Sequence, residues 1–94
     1  MHFVIYCLDK PGHAQVRADN RPAHVDYLKS SAAQIVCAGP LLSDDGDGMI
    51  GSTLVMEFAD RAAADAWAEN DPYAKAGLFE SVTIHPWKKV FPAD

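Results

Sequence analysis

The stretch N-R-P-A-H-V-D-Y-L, residues 20–28, predicts the start of a helix that runs from Arg21 to about residue 33. Asn20 is a good N-cap, because its side-chain oxygen accepts hydrogen bonds from otherwise unpaired first-turn amides. Pro22 suits the first turn, where its missing N–H costs nothing. Apolar residues then recur at helical spacing and predict a face packed on a core: Val25, Leu28 and Ala32.

His24 lies beside this apolar stripe, next to Arg21 and on the same flank as Tyr27. A histidine in such a place is more often a hydrogen-bonded structural residue than a catalyst. Imidazole nevertheless takes up and releases protons near neutral pH, which suits it to acid–base chemistry. The residues alone leave both interpretations open.

Working outward from this helix, alternating apolar residues predict four strands, and a second helix follows Asp60. The segment from His13 to Asp19 is ambiguous and is compatible with a short helical turn. The predicted strands cover His2–Leu8, Gln34–Leu42, Met49–Phe58 and Glu80–Val90. The second helix is predicted to run to about Asn70, and its apolar stripe consists of Ala63, Ala64, Trp67 and Ala68. One further helical turn is predicted over Ala74–Gly77. Pro40 predicts an edge position for the second strand.

This order, strand–helix–strand–strand–helix–strand, predicts an α+β ferredoxin-like plait. Its four-stranded antiparallel sheet would carry both helices on one face, in one domain over residues 1–94. The first strand is apolar on both of its faces, which predicts that both are covered. Two helices cover only one face, so the other is predicted to pair with a second copy of the chain.

Composition excludes several classes of function. The chain has 94 residues, of which thirteen are acidic and eight are basic, so its formal net charge is −5. This charge argues against nucleic acid or an anionic membrane as the partner. The first ten residues lack the features of a signal peptide, so a cytoplasmic location is expected. Cys7 and Cys37 are expected to be reduced and packed.

No metal or cofactor is predicted. The acidic loop Ser43–Gly48 resembles a calcium loop only in part, since Leu54 stands where the bidentate glutamate is required. The remaining histidines, His2, His13 and His85, lack ligand spacing with any cysteine or acid, although His2 and His85 could meet across the first and last strands. No phosphate-binding glycine loop and no dinucleotide fingerprint is present.

The predicted topology suggests one site. The two helices of the plait run antiparallel on one face of the sheet, so the start of the first lies at the same end as the finish of the second. His24 would then be near Asp71, which ends the second helix. Asp71 has a competing role, because an aspartate before Pro72 can cap the turn that follows. One carboxylate has enough acceptor capacity for both roles.

Five pieces of the chain together resemble the YCII (YciI-like) family of dimeric α+β barrel proteins. The pieces are Arg21-Pro22-Ala23-His24 with Leu28, Ala38-Gly39-Pro40-Leu41, Gly51-Ser52-Thr53, Asp71-Pro72-Tyr73 with Ala76-Gly77, and Pro86-Trp87-Lys88-Lys89-Val90-Phe91. They span nearly the whole chain.

The resemblance implies a homodimer with a cleft in which His24 and Asp71 form a catalytic dyad. It also implies lyase- or isomerase-like chemistry, without a cofactor, on a small and usually cyclic molecule. The residues expected to contact that molecule are Arg21, Tyr27, Gly39, Pro40, Ser52 and Tyr73. The alternative is a non-catalytic dimer that binds a small molecule, or regulates, through the same cleft.

Overall fold

The computed structural model describes residues 1–93, which form one sheet and the helices that pack on it. The elements are β1 (His2–Asp9), α1 (Ala14–Ser30), a single 3-10 turn (Ala32–Gln34), β2 (Ile35–Leu42), β3 (Met49–Glu57), α2 (Arg61–Glu69), α3 (Pro72–Lys75) and β4 (Phe79–Trp87). The strand order is β2-β3-β1-β4, and every neighbouring pair is antiparallel. This is the predicted ferredoxin-like plait, and β2, which contains Pro40, lies at an edge as predicted.

One face of the sheet carries the core. Ile5 pairs with Leu54 on one side and with Ile84 on the other, so these three side chains share the face that the helices cover. Trp67 of α2 packs against them, and the predicted apolar stripe of α2 is confirmed. The opposite face has no helix on it, and Tyr6 at its centre is 42% exposed.

The predicted start of the first helix was wrong. Helix α1 begins at Ala14, so Pro22 lies inside it and His24 is its eleventh residue rather than a first-turn residue. Asn20 is not a cap, since its side-chain amide donates to the Val16 carbonyl one turn earlier. A proline within a helix removes one backbone hydrogen bond. The Arg17–Asp9 ion pair joins the N-terminal part of α1 to β1.

The expected division of α1 into a core stripe and a flank was right for Leu28, which packs against the core cluster, but not for the other residues. Val25 and Leu28 are half-buried, and Ala32 lies beyond the helix and is exposed. His24, expected beside the stripe, is buried, and so is Ser31, which directly follows α1. The indole nitrogen of Trp67 on α2 donates to Ser31 Oγ at 2.8 Å.

The remaining boundaries differ by one to three residues. Asp60 caps α2 as predicted and accepts from the Ala63 amide at 2.9 Å. Strand β4 ends at Trp87 rather than at Val90, which is exposed. The acidic loop satisfies its own polar groups, because Asp45 accepts from both the Ser43 hydroxyl and the Asp47 amide.

Candidate functional site

One face of α1 forms a wall of an open cleft of about 200 Å³. Arg17, Arg21, His24 and Leu28 are spaced four, three and four residues apart, so a continuous helix places them on one side. The opposite walls come from β2 and β3 and from α3. The full lining is Arg17, Arg21, His24, Val25, Leu28, Ala38, Gly39, Pro40, Met49, Ser52, Leu54 and Tyr73.

His24, on the α1 wall of this cleft, is paired with Asp71, which is buried behind the lining. The ring nitrogen Nδ1 of His24 lies 2.9 Å from Asp71 Oδ1, and both residues are buried, at 8% and 2% exposure. The same carboxylate oxygen accepts from the Tyr73 amide at 2.9 Å and thereby caps α3. Asp71 therefore has both of the roles that the sequence left open. Because Nδ1 is engaged, Nε2 is the nitrogen of His24 available to a bound molecule.

Tyr73 fixes the plane of the His24 ring. The two rings are stacked with centroids 3.9 Å apart, and the Arg17 guanidinium lies 4.6 Å from the Tyr73 ring centroid. Burial raises the pKa of the Tyr73 hydroxyl, while the positive charges of Arg17 and Arg21 act in the opposite direction. Tyr73 is therefore neutral at physiological pH and serves as a rigid aromatic wall.

Helix α3 is short, and Gly77 ends it. The Gly77 amide donates to the Ala74 carbonyl and the Leu78 amide to the Tyr73 carbonyl, a Schellman arrangement. This turn requires the left-handed backbone conformation that Gly77 adopts, at φ +74°. The capped turn holds Tyr73 against His24.

Arg17 and Asp9 form a second buried pair beside the dyad. Arg17 Nε and Nη2 donate to the two Asp9 oxygens at 2.7 and 2.9 Å, and Nη2 also donates to Ser52 Oγ at 3.0 Å. Burial opposes the charge of the guanidinium, but the hydrogen bond and charge of Asp9 hold the pKa of Arg17 above its usual value. Sequence reasoning missed both residues. If the predicted helix had begun at Ala14, the helical spacing of Arg17 from Arg21 and His24 would have indicated that Arg17 belongs to the site.

Most of the predicted contact residues do line the cleft. Arg21 and Ser52 contribute polar groups, Gly39 and Pro40 form the rim on β2, and Tyr73 lies beneath His24.

Tyr27 is not part of the cleft. Its hydroxyl donates to the Trp67 carbonyl at 2.8 Å, and its ring stacks on the Trp67 indole at a centroid distance of 4.8 Å. Burial, followed by the charge of Asp71, raises the pKa of the Tyr27 hydroxyl. Tyr27 joins α1 to α2 and does not line the cleft, contrary to its predicted place among the contact residues.

Other reactive groups do not combine into a second centre. Burial, followed by the charges of Asp71 and Asp9, raises the pKa of the Cys7 thiol to about 12, so the thiol stays protonated and is a poor nucleophile. Cys7 and Cys37 are both free, and Cys7 is buried as expected, but the expectation that Cys37 is packed was wrong, because it is exposed on the edge strand β2. Within residues 1–93, no three histidine, cysteine or acidic side chains come together in a way that could hold a metal ion.

The arrangement is suited to moving protons. A histidine whose Nδ1 is held by a buried carboxylate has a defined tautomer, and the carboxylate also stabilises the imidazolium that forms when Nε2 accepts a proton. A proton taken by Nε2 can be returned to another atom of the same bound molecule. None of this requires a group that the chain itself does not supply.

Comparison with known proteins finds two relatives at 40% identity or more and a more distant protein that shares only the fold. The chain is 42% identical to 5-chloro-2-hydroxyhydroquinone dehydrochlorinase from Burkholderia phenoliruptrix AC1100, solved in complex with 2,5-dihydroxybenzoquinone. That match has a TM-score of 0.87 and covers 94% of each chain. Protein YciI of Escherichia coli O6:H1 is 40% identical over 97% of this chain and all of that protein. An antibiotic biosynthesis monooxygenase, 15% identical with a TM-score of 0.57 over 96% of this chain and 99% of its own, shares the fold.

None of the helices within residues 1–93 has the length and apolar character needed to cross a membrane. The model of the YCII-related domain matches residues 1–88, which is nearly the whole chain. This protein belongs to the YCII-related family.

Proposed function

We propose that this protein is a cofactor-independent lyase that removes hydrogen chloride, or a comparable acid, from a small hydroxylated ring compound. The observation that carries the proposal is the buried His24–Asp71 pair, in which His24 lines the cleft and has Nε2 available to a bound molecule. A volume of about 200 Å³ accommodates a single six-membered ring with its substituents. Catalysis would then consist of proton transfer and positioning.

The reaction can be written with the residues of this chain alone. Nε2 of His24 accepts the proton of a ring hydroxyl and returns it to the ring carbon that bears chlorine, which becomes tetrahedral. A second, conjugated hydroxyl then loses its proton to water, its electron pair forms a carbonyl, and chloride leaves with the electrons of the C–Cl bond. The ring has lost one proton and one chloride. Asp71 stabilises the imidazolium between the two transfers.

The similarity to a dehydrochlorinase supports this class of reaction. At 42% identity over 94% of both chains, the relative acts on a chlorinated hydroxyhydroquinone and binds a dihydroxybenzoquinone. We therefore place the substrate of this protein among small oxygenated six-membered rings. An isomerase that moves a proton without losing a leaving group would use the same first transfer.

The direct test is a turnover assay with chlorinated and non-chlorinated hydroxyhydroquinones, following chloride release by ion chromatography and ring changes by ultraviolet absorbance. We expect chloride release that needs no added metal and survives exhaustive dialysis against a chelator. Binding by calorimetry without any change in the ring or in chloride, across the series, would instead support the non-catalytic alternative and contradict the lyase proposal.

We also propose that the protein acts as a homodimer through the sheet face that carries Tyr6. Val4, Tyr6 and Leu8 alternate onto this face, and the helices cover only the other one. A second sheet would cover these apolar residues.

In sedimentation equilibrium at micromolar concentration, we expect twice the mass of the 10.2 kDa chain. Tyr6→Glu should shift the equilibrium toward monomer, because it places a charge at the centre of the apolar face. Ala62→Glu, on the exposed side of α2, is the matched control and should remain dimeric. A wild-type protein that sediments as a monomer would contradict the dimer.

A further inference from the structure

The cleft is rich in hydrogen-bond donors and positive charge, whereas the protein as a whole is acidic. Among its lining residues, Arg17, Arg21 and His24 carry or can take a positive charge, and none is a carboxylate. The chain itself has a net charge of −5. The positive side chains at the cleft are therefore a local feature, which the negative net charge of the chain does not explain.

The two carboxylates closest to the cleft are already engaged. Asp9 binds Arg17 through both of its oxygens, and Asp71 binds His24. Within residues 1–93, Arg21 makes no ion pair with an acidic side chain, although it lies close enough to Tyr73 to act on that hydroxyl electrostatically. Arg21 is thus the cleft cation whose charge is not neutralised by the protein.

Ser52 adds a directed donor on the floor of the cleft. It is 4% exposed, and its oxygen accepts from Arg17 Nη2 at 3.0 Å. Because this bond occupies the acceptor side of the hydroxyl, its proton is free to donate to a bound molecule. The Ser52 hydroxyl and the Arg21 guanidinium therefore both favour an oxygen that carries negative charge.

We infer that the substrate is bound as an anion, a small ring compound with an ionised ring oxygen that Arg21 and Ser52 hold. This deepens the proposed function, on which it rests for the identity of the cleft as the substrate site. In the anion, the second hydroxyl of the proposed reaction has already lost its proton to water before binding, so its electron pair forms the carbonyl and expels chloride without a further proton loss on the protein. Arg17, neutralised by Asp9, acts as a positioning residue for Ser52 and Tyr73.

Calorimetry with two probes of similar size tests this inference. 2,5-Dihydroxybenzoquinone is a vinylogous acid and is ionised at neutral pH, whereas hydroquinone is neutral there. We expect the wild-type protein to bind the ionised probe more tightly. Arg21→Gln should weaken that binding by about tenfold, the effect of one charged hydrogen bond, and leave hydroquinone unchanged.

The matched control is Arg61→Gln, since Arg61 is exposed on α2 and outside the cleft. It should bind both probes as the wild type does. Ser52→Ala should weaken the binding of the ionised probe and leave the binding of hydroquinone unchanged. Added salt should reduce the preference of the wild-type protein for the ionised probe. Equal affinity of the wild type for the two probes, or an equal loss for both in Arg21→Gln, would overturn the inference.

The outcome is separable from the proposed function because the assay measures binding. In His24→Gln, which lacks the proposed base, the preference for the ionised probe should persist and should still depend on Arg21. A protein that shows this preference but releases no chloride would refute the lyase and leave the inference standing. A protein that releases chloride but binds the two probes equally well would overturn the inference and leave the lyase proposal standing.

Discussion

We expect His24→Gln to lower kcat for the elimination reaction by about 10²–10⁴-fold, the usual contribution of a positioned general base or acid. Glutamine can preserve a polar contact with Asp71, which is 2.9 Å from the histidine ring, but it cannot shuttle a proton at neutral pH. Affinity for a bound ring should change much less than kcat, because the loss falls on the transition state. Steady-state kinetics of chloride release measures both quantities.

One further variant and one control test whether the loss of kcat depends on the His24–Asp71 pair. Asp71→Asn keeps the size of the side chain and an oxygen for the Tyr73 amide, yet removes the charge that stabilises the imidazolium. It should lower kcat while α3 stays folded by circular dichroism. His13→Ala is the matched histidine control, since His13 is outside the cleft and contacts the Pro11 carbonyl. Full activity of His24→Gln would contradict the dyad.

The largest effect on stability is expected from Asp9→Ala. It leaves the guanidinium of Arg17, whose side chain is 7% exposed, buried without a carboxylate. Removing one partner of a buried pair costs about 3–5 kcal/mol in the free energy of unfolding. Urea denaturation at one fixed protein concentration measures it, because the stability of a dimer depends on concentration.

The exposed pair Arg61–Asp65 provides the control. Its atoms are 3.8 Å apart and its side chains are 55% and 48% exposed, so Asp65→Ala should cost less than about 1 kcal/mol. The double variant Asp9→Leu with Arg17→Met removes both buried charges and should recover most of the loss. A cost for Asp9→Ala no greater than that for Asp65→Ala would show that the buried pair is not important for folding.

The sequence predicts the plait because its signals are local. Alternation defines the strands, Asp60 marks the start of α2, and Pro40 marks an edge strand. The extent of α1 was mispredicted for the same reason. Asn20 followed by Pro22 has the local signature of a helix start, yet the helix begins at Ala14 and its Arg17 pairs with Asp9 of β1.

The site likewise has features that could be predicted from the sequence and features that depend on tertiary packing. The proximity of His24 and Asp71 was predicted from topology, although His24 is mid-helix rather than at the helix start. The network of Asp9, Arg17 and Ser52 depends on the register of β1 against β3, in which Cys7 faces Ser52, and no local pattern specifies that register. Tyr27 was placed on the substrate side of His24, but it is turned toward Trp67, as only the packing of α1 on α2 reveals.

The rim of the cleft on β2 is built from Ala38, Gly39 and Pro40, all of them small and exposed on an edge strand. None of them contributes to the hydrogen bonds that hold His24 in place. Substitutions at this rim would alter which rings are admitted while the proton-transfer groups keep their geometry. If the cleft is the substrate site proposed above, these three positions are the natural starting point for engineering its specificity.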